Sequence, residues 1–256
     1  MLKNSILDKL RYFIKRIPYA ERIYSIFNVI FFPKLCQDGL ITNHNPLFME
    51  DDKYLRSYKV AELQLKKNTF YPLNWRAHTL MWAGNHAMQL NEGSFVECGV
   101  SRAFMSSGVI NYIDLKNHGD RSFYLFDTFS GLVEQQLIAE DAAAHKNHYE
   151  DTYDFVVKTF SDFDNVHVIK GVVPESLSYV NIDKVCYLHI DMNCVLPEKA
   201  ALEYFWPKLV KSGVVILDDY GFKGHEAQAR AADDFAKENN ITVLCLPTGQ
   251  GMMIKP

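Results

Sequence analysis

Residues 185–221 read VCYLHIDMNCVLPEKAALEYFWPKLVKSGVVILDDYG, and their pattern decides the fold. An apolar run ends in an acid at Asp191. A helix-like segment follows, then Gly213 and a second apolar run that ends in the acid pair Asp218–Asp219. Two short apolar runs joined by a helical crossover predict a βαβ unit with parallel, neighbouring strands. Both strand ends then fall on one edge of the sheet, where open α/β folds hold their ligands. Three carboxylates gathered at one point repel each other unless a cation or a shared proton compensates them. The expectation from this stretch is a metal-assisted site.

Upstream, the same alternation of strand and helix begins at residue 94. SFVECG is an apolar run closed by an acid and a glycine, and a helical segment over 101–115 comes next. SFYLFD (122–127) and VHVIKG (166–171) read as further strands, with a long polar stretch at 129–150 and a helix near 151–162 between them. Downstream come a helix at about 225–239, a strand ITVLCL (241–246), a turn, and a last strand GMMIK. The pattern predicts an α/β domain with a mostly parallel sheet, helices on both faces and a C-terminal antiparallel hairpin.

The first 71 residues lack that alternation and read as an N-terminal helical segment, with the main domain over 72–256. Leu2, Ile6, Leu10, Phe13 and Ile17 recur at helical spacing among basic residues, and Pro18 ends that helix. A second helix fits 20–32, a loop-like region 36–57, a polar helix 54–66, and a strong helix 72–90 carrying His78 and His86. The basic amphipathic pair could touch an anionic membrane surface, although packing on the domain or on a second subunit is the plainer reading. No run approaches the roughly 20 apolar residues of a spanning helix, and residues 1–17 have no apolar signal core. A cytoplasmic protein is the expectation. The net charge of −4 and the absence of any nucleic-acid motif argue against a DNA or RNA partner. Five cysteines without CxxC spacing read as free thiols.

Three motifs carry chemistry. In Glu97-Cys98-Gly99-Val100-Ser101-Arg102, Gly99 lets the backbone turn and approach a ligand closely, and a helix opening near Ser101 would offer free N–H groups. This is not GxGxxG, which weakens a nicotinamide-dependent oxidoreductase reading. Asp127, at the end of the second strand, stands where ribose hydroxyls are held in nucleotide-binding sheets; the bland alternative is a helix cap. Asp191, Asp218 and Asp219 together would suit Mg2+, with Asp191 as ligand, base or both.

The runs HIDMN…PEKAALEYFWPKLVKSGVVILDDYGF, VECGVSR and LFDTFSGL resemble the macrocin O-methyltransferase family over about residues 72–255. The resemblance implies a class I methyltransferase fold that uses S-adenosylmethionine to methylate a hydroxyl of a sugar or sugar-bearing small molecule, free or nucleotide-linked. It implies that Glu97, Gly99 and Ser101 lie near the cofactor's amino-acid end, Asp127 and Thr128 at its ribose and Gly171 near the adenine. Asp191, Asp218 and Asp219 would frame Mg2+ and the acceptor hydroxyl. The family usually carries a second acid two residues after Asp191. Here that residue is Asn193, which brings no charge and cannot act as a base, so a non-catalytic, partner-binding relative is the rival reading. The stretch 129–160 takes the place of a mobile lid, where His145, slightly ahead of His148, is a candidate base. A phenolic acceptor is a further alternative.

Overall fold

The computed structural model describes residues 26–27, 29–31, 33–66, 72–141 and 150–256. The chain divides into two compact units, residues 1–50 and 51–256. In the first, strands β1 (Leu35–Gln37) and β2 (Leu40–Thr42) pair antiparallel. Asp38 and Gly39 between them both have positive φ, 49° and 75°. Asp-Gly in that conformation is the favoured two-residue hairpin turn. The loop expected over 36–57 is therefore partly a hairpin, whose signal was the Asp-Gly pair. The expected helices at 2–17 and most of that at 20–32 lie outside the described residues.

The second unit opens with α1 (Asp52–Glu62) and α2 (Asn74–Met88). Asp51 caps α1 by accepting from the Tyr54 N–H at 2.7 Å. Although the sequence grouped it with the N-terminal segment, α1 packs on the main domain. Ser57 Oγ donates to Asn111 Oδ1 at 3.0 Å, and the Tyr58 ring meets Phe104 edge-on. The reason is its buried stripe of Tyr54, Ser57, Tyr58 and Ala61, which needs a partner surface.

Then come β3 (Ser94–Cys98), α3 (Phe104–Tyr112), β4 (Phe123–Asp127), α4 (Tyr153–Thr159), β5 (Val166–Lys170) and β6 (Val185–Ile190). The chain closes with α5 (Val195–Phe205), β7 (Leu209–Leu217), α6 (Glu226–Glu238), β8 (Leu244–Cys245) and β9 (Gly251–Ile254). Seven strands form one sheet in the order β5-β4-β3-β6-β7-β9-β8. All pairs from β5 to β7 are parallel, and β9 is antiparallel to both β7 and β8, so β9 alone runs against the rest. The predicted βαβ unit is thus β6–α5–β7, with a C-terminal hairpin beside it.

Both faces of the sheet are covered, which is why all six residues of β6 are buried. Phe95, Phe123 and Tyr187 cluster on one face, with ring centroids 5.6–5.9 Å apart. Leu188, Ile190, Phe205, Trp206 and Phe235 belong to the core on the other. The chain runs outward from β3 through β4 to β5, then returns to lay β6 on the other side of β3. That reversal is the topological switch point at which open sheets form a crevice. Among the described residues no helix is long and apolar enough to cross a membrane. The five cysteines are free, with Cys98, Cys186 and Cys194 buried.

Candidate active site

The crevice holds a cavity of about 480 Å³ lined by the residues that follow four parallel strands: Gly99 after β3, Asp127 and Thr128 at the end of β4, Gly171 after β5, and Asp191 and Asn193 after β6. Gly99 has φ +93°, and a Cβ there would stand 1.9 Å from the Asp191 carbonyl oxygen. The glycine is thus required first by the neighbouring strand end: Asp191 N–H donates to the Cys98 carbonyl at 2.8 Å and draws the two backbones together.

Asp127 stitches the turn. Its Oδ2 accepts from the N–H groups of Val100 at 2.6 Å and Ser101 at 2.8 Å, and its Oδ1 from Phe129 N–H at 2.7 Å. Helix α3 begins only at Phe104, and both Ser101 and Ala103 have positive φ. The free helix N–H groups expected near Ser101 are therefore already occupied by Asp127, which also caps no helix. Oδ2 is filled by its two N–H donors, whereas Oδ1, with one, keeps a lone pair for a ligand hydroxyl.

At the cavity's rim, Glu150 pairs with Lys66 at 2.8 Å and Arg102 at 3.0 Å. Arg102 also stacks over Phe155 and donates from Nε to the Gln64 carbonyl at 2.7 Å. Thr152 Oγ1 donates to the Ser101 carbonyl at 2.7 Å, tying the return of the long loop to the glycine turn. His145 and His148 lie outside the described residues.

Glu97 does not face the cavity. Strand alternation turns it to the buried side, where its Oε2 accepts from Ser106 Oγ and its Oε1 lies 3.2 Å from His189 Nδ1. Asp218 and Asp219 are likewise buried and do not line it. The register of β6 on β7 sets them beside Asp191, as expected from sequence, but their surroundings were not foreseen. Asp218 Oδ2 is 2.7 Å from Arg76 Nη2, its Oδ1 accepts from Gln250 Nε2 at 2.8 Å, and His189 Nε2 lies 3.5 Å away. Asp219 has His225 at 3.7 Å. Asn193 Nδ2 donates to Asp191 Oδ1 at 3.3 Å.

These contacts divide the acids electrostatically. Burial would raise the Asp218 carboxyl, but Arg76 and His189 hold it well below the usual range. Asp191 is pushed well above it by burial and by the charges of Asp218 and Asp219. Asp219 is raised to about 6, by burial and then by Asp218. Half-buried Glu198, which accepts from Met192 N–H at 3.2 Å, is raised by burial and by Asp219 and Asp191. Burial would lower His189, yet its flanking carboxylates, Asp218 and Glu97, lift it to about 10.

Sequence reasoning missed Arg76, His189, Gln250 and Glu198. His189 had a signal, being an ionisable residue inside an otherwise apolar strand. Arg76 and Gln250 come from remote elements, and nothing local marks them as partners of Asp218.

The family model for macrocin-O-methyltransferase (TylF) matches residues 83–245. The chain belongs to the TylF macrocin-O-methyltransferase family. It is an O-methyltransferase by that membership, and its family's methyl donor is S-adenosylmethionine. Among solved structures, the O-methyltransferase NovP is 19% identical, with a TM-score of 0.66 over 80% of this chain and 99% of its own. CalS11, a calicheamicin methyltransferase, is 17% identical, with a TM-score of 0.54 over 82% and 93%. An O-methyltransferase from Bacillus cereus, solved in complex with SAH, is 12% identical, with a TM-score of 0.52 over 80% and 91%. At these identities the likeness is one of fold: the same class I methyltransferase sheet. A search of curated protein sequences found no match.

Proposed function

We propose that the protein methylates a hydroxyl of a sugar or sugar-bearing small molecule, with Asp191 as the residue that takes the hydroxyl proton. The observation that carries this reading is the placement of Asp191 in the same cavity as Gly99, Asp127 and Gly171. A cavity of this volume is of the size that small-molecule sites use. CalS11 is described as a TDP-rhamnose 3'-O-methyltransferase, which favours the same acceptor class.

S-adenosylmethionine supplies a methyl group on a sulfonium, and its transfer leaves a neutral thioether. Asp127 would offer the remaining lone pair of Oδ1 to a ribose hydroxyl, with Thr128 and Gly171 beside the nucleoside. Gly99 and Ser101, which line the cavity, would face the amino-acid end, while Glu97 is held on the buried side by Ser106 and His189. Asp191 would accept the proton that the acceptor hydroxyl loses on taking the methyl group. Its raised proton affinity suits a base that must work on an alcohol. Asn193 Nδ2, on Asp191 Oδ1, leaves Oδ2 for the acceptor.

Magnesium assistance, expected from the three acids, fits this donor set poorly. A ring atom of His189 and oxygens of Asp191 and Asp218 do lie within 4.8 Å of one another. However, His189 is fully buried between two carboxylates, Asp218 already has the Arg76 guanidinium against Oδ2 and Gln250 donating to Oδ1, and only Asp219 Oδ2 is buried with neither. A hard divalent ion needs several free oxygens, so no step is assigned to one.

The test is transfer from methyl-labelled S-adenosylmethionine to a panel of nucleotide sugars, sugar-bearing small molecules and catechols, read by mass spectrometry. Labelled sugar product is expected and should be lost in Asp191→Asn. Transfer to catechol alone would replace the acceptor class. Binding of the donor with no transfer to any acceptor would favour the non-catalytic reading that Asn193 motivates.

A further inference from the structure

The buried acids need positive charge from some source, and the structure places one beside them. We infer that Arg76 is the resident cation of the acid cluster, a positioning residue that takes the electrostatic role of a divalent ion, so that this site works without metal. The inference rests on the methyltransferase reading above and concerns how that same site is held.

Four observations support it. Arg76 Nη2 stands 2.7 Å from Asp218 Oδ2, with the two side chains only 11% and 1% exposed. Its guanidinium lies over the Phe222 ring at 4.7 Å, which fixes its plane just after the DDYG turn. The opposite Asp218 oxygen accepts from Gln250 Nε2 at 2.8 Å, so the carboxylate has the guanidinium on one side and a hydrogen bond on the other. Asn193 presents nitrogen, not oxygen, to Asp191. A second acid there would add a negative charge and demand an added cation; an amide donor instead lessens that demand.

The chemistry is consistent with the sequence change. Guanidinium stays charged at any pH the protein meets and donates several N–H groups in one plane. It therefore compensates Asp218 permanently, where a metal would have to be recruited. Arg76 does not line the cavity. It acts on the reaction through Asp218, whose fixed charge and position set the surroundings of Asp191.

The experiment uses the full chain, stripped with EDTA and returned to chelator-free buffer. Mn2+ is titrated in and its free EPR signal followed, thermal unfolding is measured with and without Mg2+, and S-adenosylhomocysteine binding is measured by calorimetry in both conditions. The wild type should leave the Mn2+ signal free into the millimolar range, show the same Tm with and without Mg2+, and bind S-adenosylhomocysteine with unchanged Kd. Arg76→Ala should lower Tm, recover part of it on adding Mg2+, and now quench the Mn2+ signal; Arg76→Lys should remain indifferent to metal. Stoichiometric Mn2+ binding by the wild type, or an Arg76→Ala variant whose Tm ignores Mg2+, would overturn the inference. If Arg76→Ala does not fold, the wild-type titration decides, together with Asn193→Asp, which should gain Mn2+ binding; an Asn193→Asp variant that ignores Mn2+ counts against the inference. Failure of S-adenosylhomocysteine to bind would instead count against the methyltransferase reading and leave the metal titration interpretable.

Discussion

Replacing Asp127 by Asn separates two roles that its carboxylate combines. In the structure it accepts three backbone N–H groups, at 2.6, 2.8 and 2.7 Å, before any ligand arrives. Asparagine keeps one acceptor oxygen. If that oxygen stays with Val100 and Ser101, the new NH2 faces Phe129 N–H, donor against donor. One charge-assisted bond is lost and two are weakened to neutral ones. Hydrogen bonds to charged groups contribute about 1.5–3 kcal/mol each, and Asp127 is part-exposed, so a loss of about 2 kcal/mol is expected in the ligand-free protein. Asp127→Ala, which strands all three donors, should cost more. Urea unfolding without ligand gives the stability, and calorimetry with S-adenosylhomocysteine gives the affinity, which should fall about tenfold or more. If Asp127→Asn lowers affinity but leaves ligand-free stability within about 0.5 kcal/mol of the parent, the acid serves the ligand alone and the account of the turn is wrong.

Other perturbations probe the remaining links. Gly99→Ala combines a left-handed φ with a methyl 1.9 Å from the Asp191 carbonyl; a loss of roughly 2–5 kcal/mol is expected from strain and overpacking, and a normal urea midpoint would refute it. His189→Phe keeps a ring but removes the charge between Glu97 and Asp218, and breaking a buried ion network of this kind costs about 3–5 kcal/mol, measurable by the same unfolding series. The wild type should also lose stability with rising pH. The imidazole has an ordinary value of 6.5 and is raised to about 10 in the fold, so its contribution is complete below 6.5 and disappears as pH climbs through 10. A Tm flat across that window in the wild type would contradict the charged His189. Asn193→Asp adds a carboxylate beside Asp191, and should lower Tm in EDTA while leaving the far-UV spectrum intact; an unchanged Tm would mean that the amide contact is inconsequential.

Most of the sheet was legible because its signals are local. Apolar runs ending in acid or glycine marked β3, β4, β6 and β7, and the spacing between the last two required a helical crossover. The ends of ITVLCL were not legible: only Leu244 and Cys245 pair, because an edge strand's length depends on the partner it finds and not on its own apolar run. Among the site residues, Gly99, Ser101, Asp127, Thr128, Gly171 and Asp191 do meet at one cavity, since strand ends on one edge of a parallel sheet converge. Glu97 departs from that set because neighbouring strand residues face opposite sides. The three acids cluster as the register dictates, but the groups that compensate them do not come from the same stretch. Arg76 precedes the sheet and Gln250 follows it, and only the fold brings them to Asp218. Charge balance in a buried site is a tertiary property, which is why the three acids are legible in sequence and the guanidinium beside Asp218 is not.

The central claim is that the crevice after β3, β4, β5 and β6 holds S-adenosylmethionine with Asp191 at its reactive end. Calorimetric titration of the full chain with S-adenosylhomocysteine tests it most directly. The account predicts saturable one-to-one binding that Asp127→Ala abolishes, while Asp191→Asn, which removes the base and keeps the shape, leaves it intact. No binding by the wild type, or binding that survives Asp127→Ala unchanged, would contradict it.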